Sequence, residues 1–75
     1  MKEDNRYKLW KIIQEAGDYL VDVLPEHPNH PKGRNPYAHV AICVKDHFQA
    51  SYKDIPDEKF DDVVNYIEYL KQNPS

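Results

Sequence analysis

Five side chains in this 75-residue chain are imidazole or thiol, the nitrogen and sulfur ligands of metals: His27 and His30, three apart, then His39, Cys43 and His47 at successive intervals of four. Imidazole and thiolate suit zinc, and residues four apart on a helix lie close enough to share an ion. Angular placement weakens the idea. With Tyr37 at zero and 100° per residue, His47, Cys43 and His39 fall at about 280°, 240° and 200°, so one ion is reached by two of them but not comfortably by all three. No CxxC pair is present. No metal and no cofactor are expected. His27, His30, Cys43 and His47 remain the weak metal candidates, and exposed histidines beside a half-buried thiol are the plainer reading.

Catalysis has less support. Cys43 has a histidine one turn away on either side, but a nucleophile needs a cleft and an activated thiolate. Carboxylates are plentiful, yet none is paired in an apolar setting that would raise a pKa for acid catalysis. The only glycines are Gly17 and Gly33, so no glycine-rich phosphate loop exists. No catalytic residue is assigned, and the chain is not expected to be an enzyme.

Contact with a partner or with DNA is the remaining chemistry. Lys32, Arg34, Lys45 and Lys53 have the charge to meet phosphates, and Asn35 or Gln49 the amides to read bases. His27 and His30 join them as contact candidates, although four basic side chains over this span are ordinary for a protein surface. Charge is unevenly placed: residues 1–53 hold eight Lys/Arg against seven Asp/Glu, whereas residues 54–75 hold two against six. The acidic tail argues against docking of nucleic acid or anionic lipid there. Among six Tyr, two Phe and one Trp, Tyr19, Tyr66 and Tyr69 flank apolar stripes and are the interface candidates. Phe48, Phe60 and Trp10 are expected in the core.

Three helical segments must position these groups. Leu9, Ile13, Ala16, Leu20 and Val23 recur at intervals of three and four and predict a helix over about residues 5–24, with Trp10, Ile12 and Leu24 widening its stripe. Gly17 interrupts it at a cost of about 1 kcal/mol relative to Ala, which implies a kink or a close approach by another backbone. Asn35-Pro36 is a cap followed by proline at the first helical position, and predicts a second helix over 36–49 with Tyr37, Val40, Ala41, Val44 and Phe48 facing inward. A strand at 38–44 competes, because VAICV suits a sheet, but the Asn-Pro start and the spacing out to Phe48 favour helix. A third helix is expected over about 57–72, with Phe60, Val63, Val64, Ile67 and Leu70 inward and acids at its positive end. Pro56 leaves its cap open between Ile55 and Asp57.

Between the first two helices, LPEHPNHPKGRNPY holds four of the six prolines, and residues 25–35 form a connector longer than the two to eight residues usual in bundles. Its prolines favour extended geometry, so it is expected to be chiefly a stiff connector and secondarily a contact surface. The later connector, ASYKDIP, is expected to act as a clasp that turns Tyr52 and Ile55 inward. The fold class is all-α, a small three-helix single domain. A domain this small buries only about 60% of its unfolded surface, so packing or self-association must stabilise it. One cysteine, no apolar run of membrane-spanning length and a charged start predict a soluble cytoplasmic protein.

The run from Gly33 to Leu70, GRNPYAHVAICVKDHFQASYKDIPDEKFDDVVNYIEYL, resembles the C-terminal domain of phage antirepressor and related phage regulatory proteins. Its most specific part is an aromatic closing one helix, then Ser-Tyr-Lys-Asp-Ile-Pro, then Phe60 four residues past Pro56, and Ile67 near the end. Where the family often has glycine after the phenylalanine, this chain has Gln49-Ala50. The resemblance implies a noncatalytic phage or prophage module in the bacterial cytoplasm, acting by protein–protein interaction or by helping to bind DNA. Family members usually carry the module behind a separate N-terminal domain, which implies here a small stand-alone relative or an excised piece. The runner-up reading is a DNA-binding domain using the second helix and the Pro/His loop; a zinc-stabilised domain is third.

Overall fold

A computed structural model describes residues 1–23 and 35–74. Its order is α1 (Glu3–Leu20), α2 (Pro36–Phe48), a 3₁₀ turn (Asp57–Lys59) and α3 (Phe60–Gln72), with no strand among the described residues. The expected all-α, three-helix class is what forms, and the competing strand at 38–44 does not. The Pro/His connector lies outside the described residues apart from Asn35.

Leu9, Ile13, Ala16 and Leu20 of α1, Val40 and Val44 of α2, and Val63, Ile67 and Leu70 of α3 are buried in one cluster with Ile55 of the connector. Each fully buried Leu, Ile or Val side chain here contributes roughly 1.5–3 kcal/mol of transfer free energy. The side-chain contacts fix the helix directions. Tyr37, at the start of α2, meets Gly17 and Asp18 near the end of α1, so these two helices run antiparallel. Asp57 meets Asn5 at one end and Lys71 lies over Tyr19 at the other, so α3 runs parallel to α1.

Helix α1 begins earlier and ends earlier than its apolar pattern implies. Lys2 is its extended N-cap and accepts from the Arg6 N–H at 2.9 Å. At the other end the helix stops at Leu20, and residues 21–23 form a turn. There the backbone tightens to bonds three residues apart, the Val21 N–H donating to the Asp18 carbonyl at 3.4 Å and the Val23 N–H to that of Leu20 at 3.2 Å. Val23, expected on the buried stripe, is therefore 47% exposed.

Trp10 also departs from expectation. It is 48% exposed rather than in the core, because the five buried residues of α1 form a narrow stripe and Trp10 stands at its margin. Phe48 and Phe60 are partly buried, packed against the rim of the core rather than within it. Tyr37 and Ala41 of the predicted α2 face are likewise half-buried.

The interruption at Gly17 is explained by a side chain, not by a backbone or a kink. A Cβ on Gly17 would collide with Cδ1 of Tyr37, so the aromatic ring occupies the space a side chain would need. The start of α2 is capped as its sequence implies: Asn35 Oδ1 accepts from the backbone N–H groups of Tyr37 at 3.0 Å and Ala38 at 3.1 Å. Its end is Gln49, a left-handed residue with φ 61° and ψ 27°. Glycine adopts that conformation without steric cost.

The Ser51–Pro56 connector is the expected clasp, and its anchoring point is the beginning of α1. Ile55 is fully inward and Tyr52 packs against the core edge. The Asp54 N–H donates to the Ser51 carbonyl at 2.8 Å, and the Met1 nitrogen donates to the Lys53 carbonyl at 3.0 Å and the Ile55 carbonyl at 2.5 Å. Arg6 Nε donates to the Met1 carbonyl at 2.9 Å and, at 3.3 Å, to that of Lys53.

Neither Ile55 nor Asp57 caps the third helical segment; Pro56 precedes its 3₁₀ opening turn. Asp57 instead reaches across to α1. Its Oδ1 accepts from the Lys2 backbone N–H at 2.7 Å and from Asn5 Nδ2 at 3.0 Å. Lys2 supplies no side-chain cap of its own, so a carboxylate distant in sequence occupies the positive end of α1.

Candidate functional site

The richest chemical surface lies where the end of α2 meets the middle of α3. The His47 imidazole stacks on the Tyr66 ring, with centroids 4.0 Å apart and planes 17° from parallel. Phe48 meets both edge-on, at 4.8 Å from His47 and 5.8 Å from Tyr66. Tyr66 in turn stacks on Tyr69 at 6.1 Å. These rings make a ladder from the half-buried Phe48 to Tyr69, which is 57% exposed. Helical spacing supplies half of this arrangement, since residues three apart on α3 are surface neighbours. The other half is tertiary, because α2 must run alongside α3 for His47 to reach Tyr66. Burial, followed by the negative forms of Cys43, Tyr69 and Asp46, pushes the Tyr66 phenol above its ordinary pKa.

One turn toward the start of α2, Cys43 Sγ lies 3.7 Å from Nε2 and 3.9 Å from Nδ1 of His39. The sequence candidates for metal binding are thus dispersed. His39 and Cys43 contact each other, His47 faces Tyr66, and His27 and His30 lie outside the described residues. No group of three or more metal-ligating side chains assembles among the described residues.

The basic and amide candidates separate in the same way. Lys45 and Lys53 converge on one open groove with Ala41, Ile42, Ser51 and Tyr52. Lys53 Nζ also lies 5.9 Å from the Tyr52 ring centroid. Asn35 Oδ1 is engaged in capping, so the two-pronged amide geometry that reads adenine is not presented. Gln49 Nε2 donates to the Asp46 carbonyl at 2.6 Å. His27, His30, Lys32 and Arg34 lie outside the described residues.

A groove between α1 and α3 has an apolar floor of Ile12, Ala16, Val64 and Ile67 and a rim that includes Glu15 and Glu68. Its volume of 170 Å³ is below the roughly 300–1,000 Å³ of typical ligand pockets, and on its rim the Lys71 ammonium lies 3.3 Å from Glu68 Oε2. Beside it, Tyr19 is 55% exposed, with the Lys71 ammonium 5.1 Å from its centroid.

Trp10, expected in the core, and Tyr7, at the edge of the stripe but not among the interface candidates, are both surface groups. Their rings lie 6.2 Å apart on the outside of α1, with Lys11 Nζ 5.6 Å from the Tyr7 centroid. Their spacing, three and four apart, makes Tyr7, Trp10 and Lys11 neighbours on a helix but does not say which way that side faces. No helix among the described residues is long and apolar enough to cross a membrane. Compared with known proteins, the chain matches no family model, no curated protein and no solved structure.

Proposed function

We propose that this chain is a noncatalytic regulatory module of phage or prophage type, acting in the bacterial cytoplasm by binding another protein through the α2–α3 aromatic surface. The observation that carries the reading is the ladder from Phe48 through His47 and Tyr66 to Tyr69, which ends in a tyrosine 57% exposed. Tyrosine offers a large contact area with a polar end and few rotors, and is enriched at protein interfaces. The phage assignment rests on the resemblance over residues 33–70.

DNA binding is the second reading, favoured by the convergence of Lys45 and Lys53 on one groove. Two ammonium groups neutralise few phosphates, and both candidate amides have their described bonds within the protein.

A photo-crosslinking residue placed at Tyr69 in bacterial cells tests the first reading. A discrete protein adduct is expected from that position, lost on His47→Ala and not formed from a probe at Glu58. Absence of the adduct overturns the assigned surface. Residue-resolved NMR during titration with a mixed-sequence duplex at low salt tests the second. Salt-reversible shifts at Lys45 and Lys53 would replace the protein-binding reading with DNA contact.

A further inference from the structure

The exposed side of α1 carries a charge order that is complementary to itself when reversed. Glu3, Tyr7 and Lys11 stand four apart, all exposed, so acid, aromatic and base follow one another along a single face. Asp4 adds to the acid end, and Lys8, one turn after Asp4, borders the same surface beside Tyr7. Tyr7 is 60% and Trp10 48% exposed, and the two rings stack against each other.

We propose that this face binds a second copy of the chain, α1 against α1, antiparallel and crossing at Tyr7. In that register a residue one turn before Tyr7 meets a residue one turn after it in the partner. Glu3 then faces Lys11 of the other copy, and two-fold symmetry makes the same pair again on the opposite side. Asp4 falls opposite the second copy's Trp10, beside its Lys11. A second copy fits because Glu3 and Lys11 lie at equal distances on either side of Tyr7, and the order fixes its direction, since a parallel pairing in register would set acid on acid and base on base.

The aromatic pair supplies the apolar contact. Aromatic residues bury about 150–250 Å² each when fully covered, and Trp and Tyr dominate the energetics of small interfaces. An interface centred on two such pairs lies at the lower end of the specific size range, so the dimer is reversible and concentration-dependent. This surface is distinct from the Tyr66–Tyr69 side, so the two assignments stand or fall separately.

Sedimentation equilibrium of the full chain at low ionic strength, from about 10 µM to about 1 mM, tests the proposal. The unaltered protein is expected to show a monomer–dimer equilibrium that added salt weakens. Glu3→Lys alone and Lys11→Glu alone each turn two attractions into two repulsions, and each is expected to weaken the dimer about ten-fold. An equimolar mixture of the two variants restores opposite charges at both ends and is expected to form a heterodimer as strong as the original dimer. Trp10→Ala is expected to weaken association while helicity by circular dichroism stays unchanged. A monomer at the highest concentration, a dimer indifferent to either charge reversal, or a mixture that fails to re-pair would each overturn the proposal.

Discussion

The Tyr37 ring lies across Gly17, occupying the position that a side chain on that residue would take. The Tyr37 hydroxyl also donates to Asp18 Oδ1, so the first turn of α2 is held against the last full turn of α1 at two adjacent points. In an exposed helix interior, Gly→Ala would stabilise by about 1 kcal/mol. Here the added methyl must displace an aromatic ring, and Gly17→Ala is expected to destabilise by about 1–3 kcal/mol. Thermal unfolding checks this, with about 4–8 °C lost per kcal/mol in a domain of this size. Combining Gly17→Ala with Tyr37→Ala should cost less than the sum of the two changes, because removing the ring removes the clash.

Asp57 gives the fold an acid-sensitive joint. Its carboxyl is held below the ordinary value of 3.8, first by the Lys2 backbone N–H and then by the Asn5 amide. A lowered folded pKa means that the ionised form favours folding. That contribution is complete above the unfolded value and is lost as pH falls through the folded one. Asp57→Asn keeps an acceptor but removes the charge. It is expected to lower the melting temperature at neutral pH and to flatten the loss of stability below about pH 4. Melting curves across the acid range distinguish this from a variant that is equally destabilised at every pH, which would refute the joint.

The connector and the first helix make opposite predictions about size. Ile55 is 1% exposed although it belongs to no helix, and Ile55→Ala is expected to cost about 2–5 kcal/mol. Trp10, the largest side chain in the protein, is half outside, and Trp10→Ala is expected to cost less than about 1 kcal/mol in dilute solution. Chemical denaturation of both variants, well below any self-association, checks the order. A greater cost at Trp10 than at Ile55 would contradict the packing.

Gln49 ends α2 in a left-handed conformation, which costs a side chain-bearing residue roughly 1–2 kcal/mol. Gln49→Gly relieves that strain but loses the bond from Nε2 to the Asp46 carbonyl and adds freedom to the unfolded chain. The expected net effect is a gain of about 0.5–1 kcal/mol, measured as a raised denaturation midpoint with unchanged slope. A lower midpoint would show that the side-chain bond outweighs the backbone strain.

Helix identity and the inward positions were legible because they depend on local periodicity. Leu9, Ile13, Ala16, Leu20, Val40, Val44, Val63, Ile67 and Leu70 are all buried where a 3.6-residue repeat places them. The Asn35 cap and the inward Ile55 were equally readable, since a side-chain acceptor at a helix start and an extended residue before proline act over a few residues. Margins were not legible. Whether Trp10, at the edge of a stripe, lies inside or outside depends on which neighbour packs beside it, and periodicity does not encode that neighbour.

The sequence by itself determined three amphipathic helices, their approximate lengths, the cap that starts the second and the clasp that precedes the third, all through interactions between residues near one another in the chain. Only the tertiary structure decided that Tyr37 fills the gap at Gly17, that Asp57 serves the beginning of α1 rather than its own helix, and that His47 stacks on Tyr66. Each of these pairs joins residues at least nineteen positions apart. Their meeting follows from the relative directions of whole helices, set by burial of the shared core rather than by any local preference.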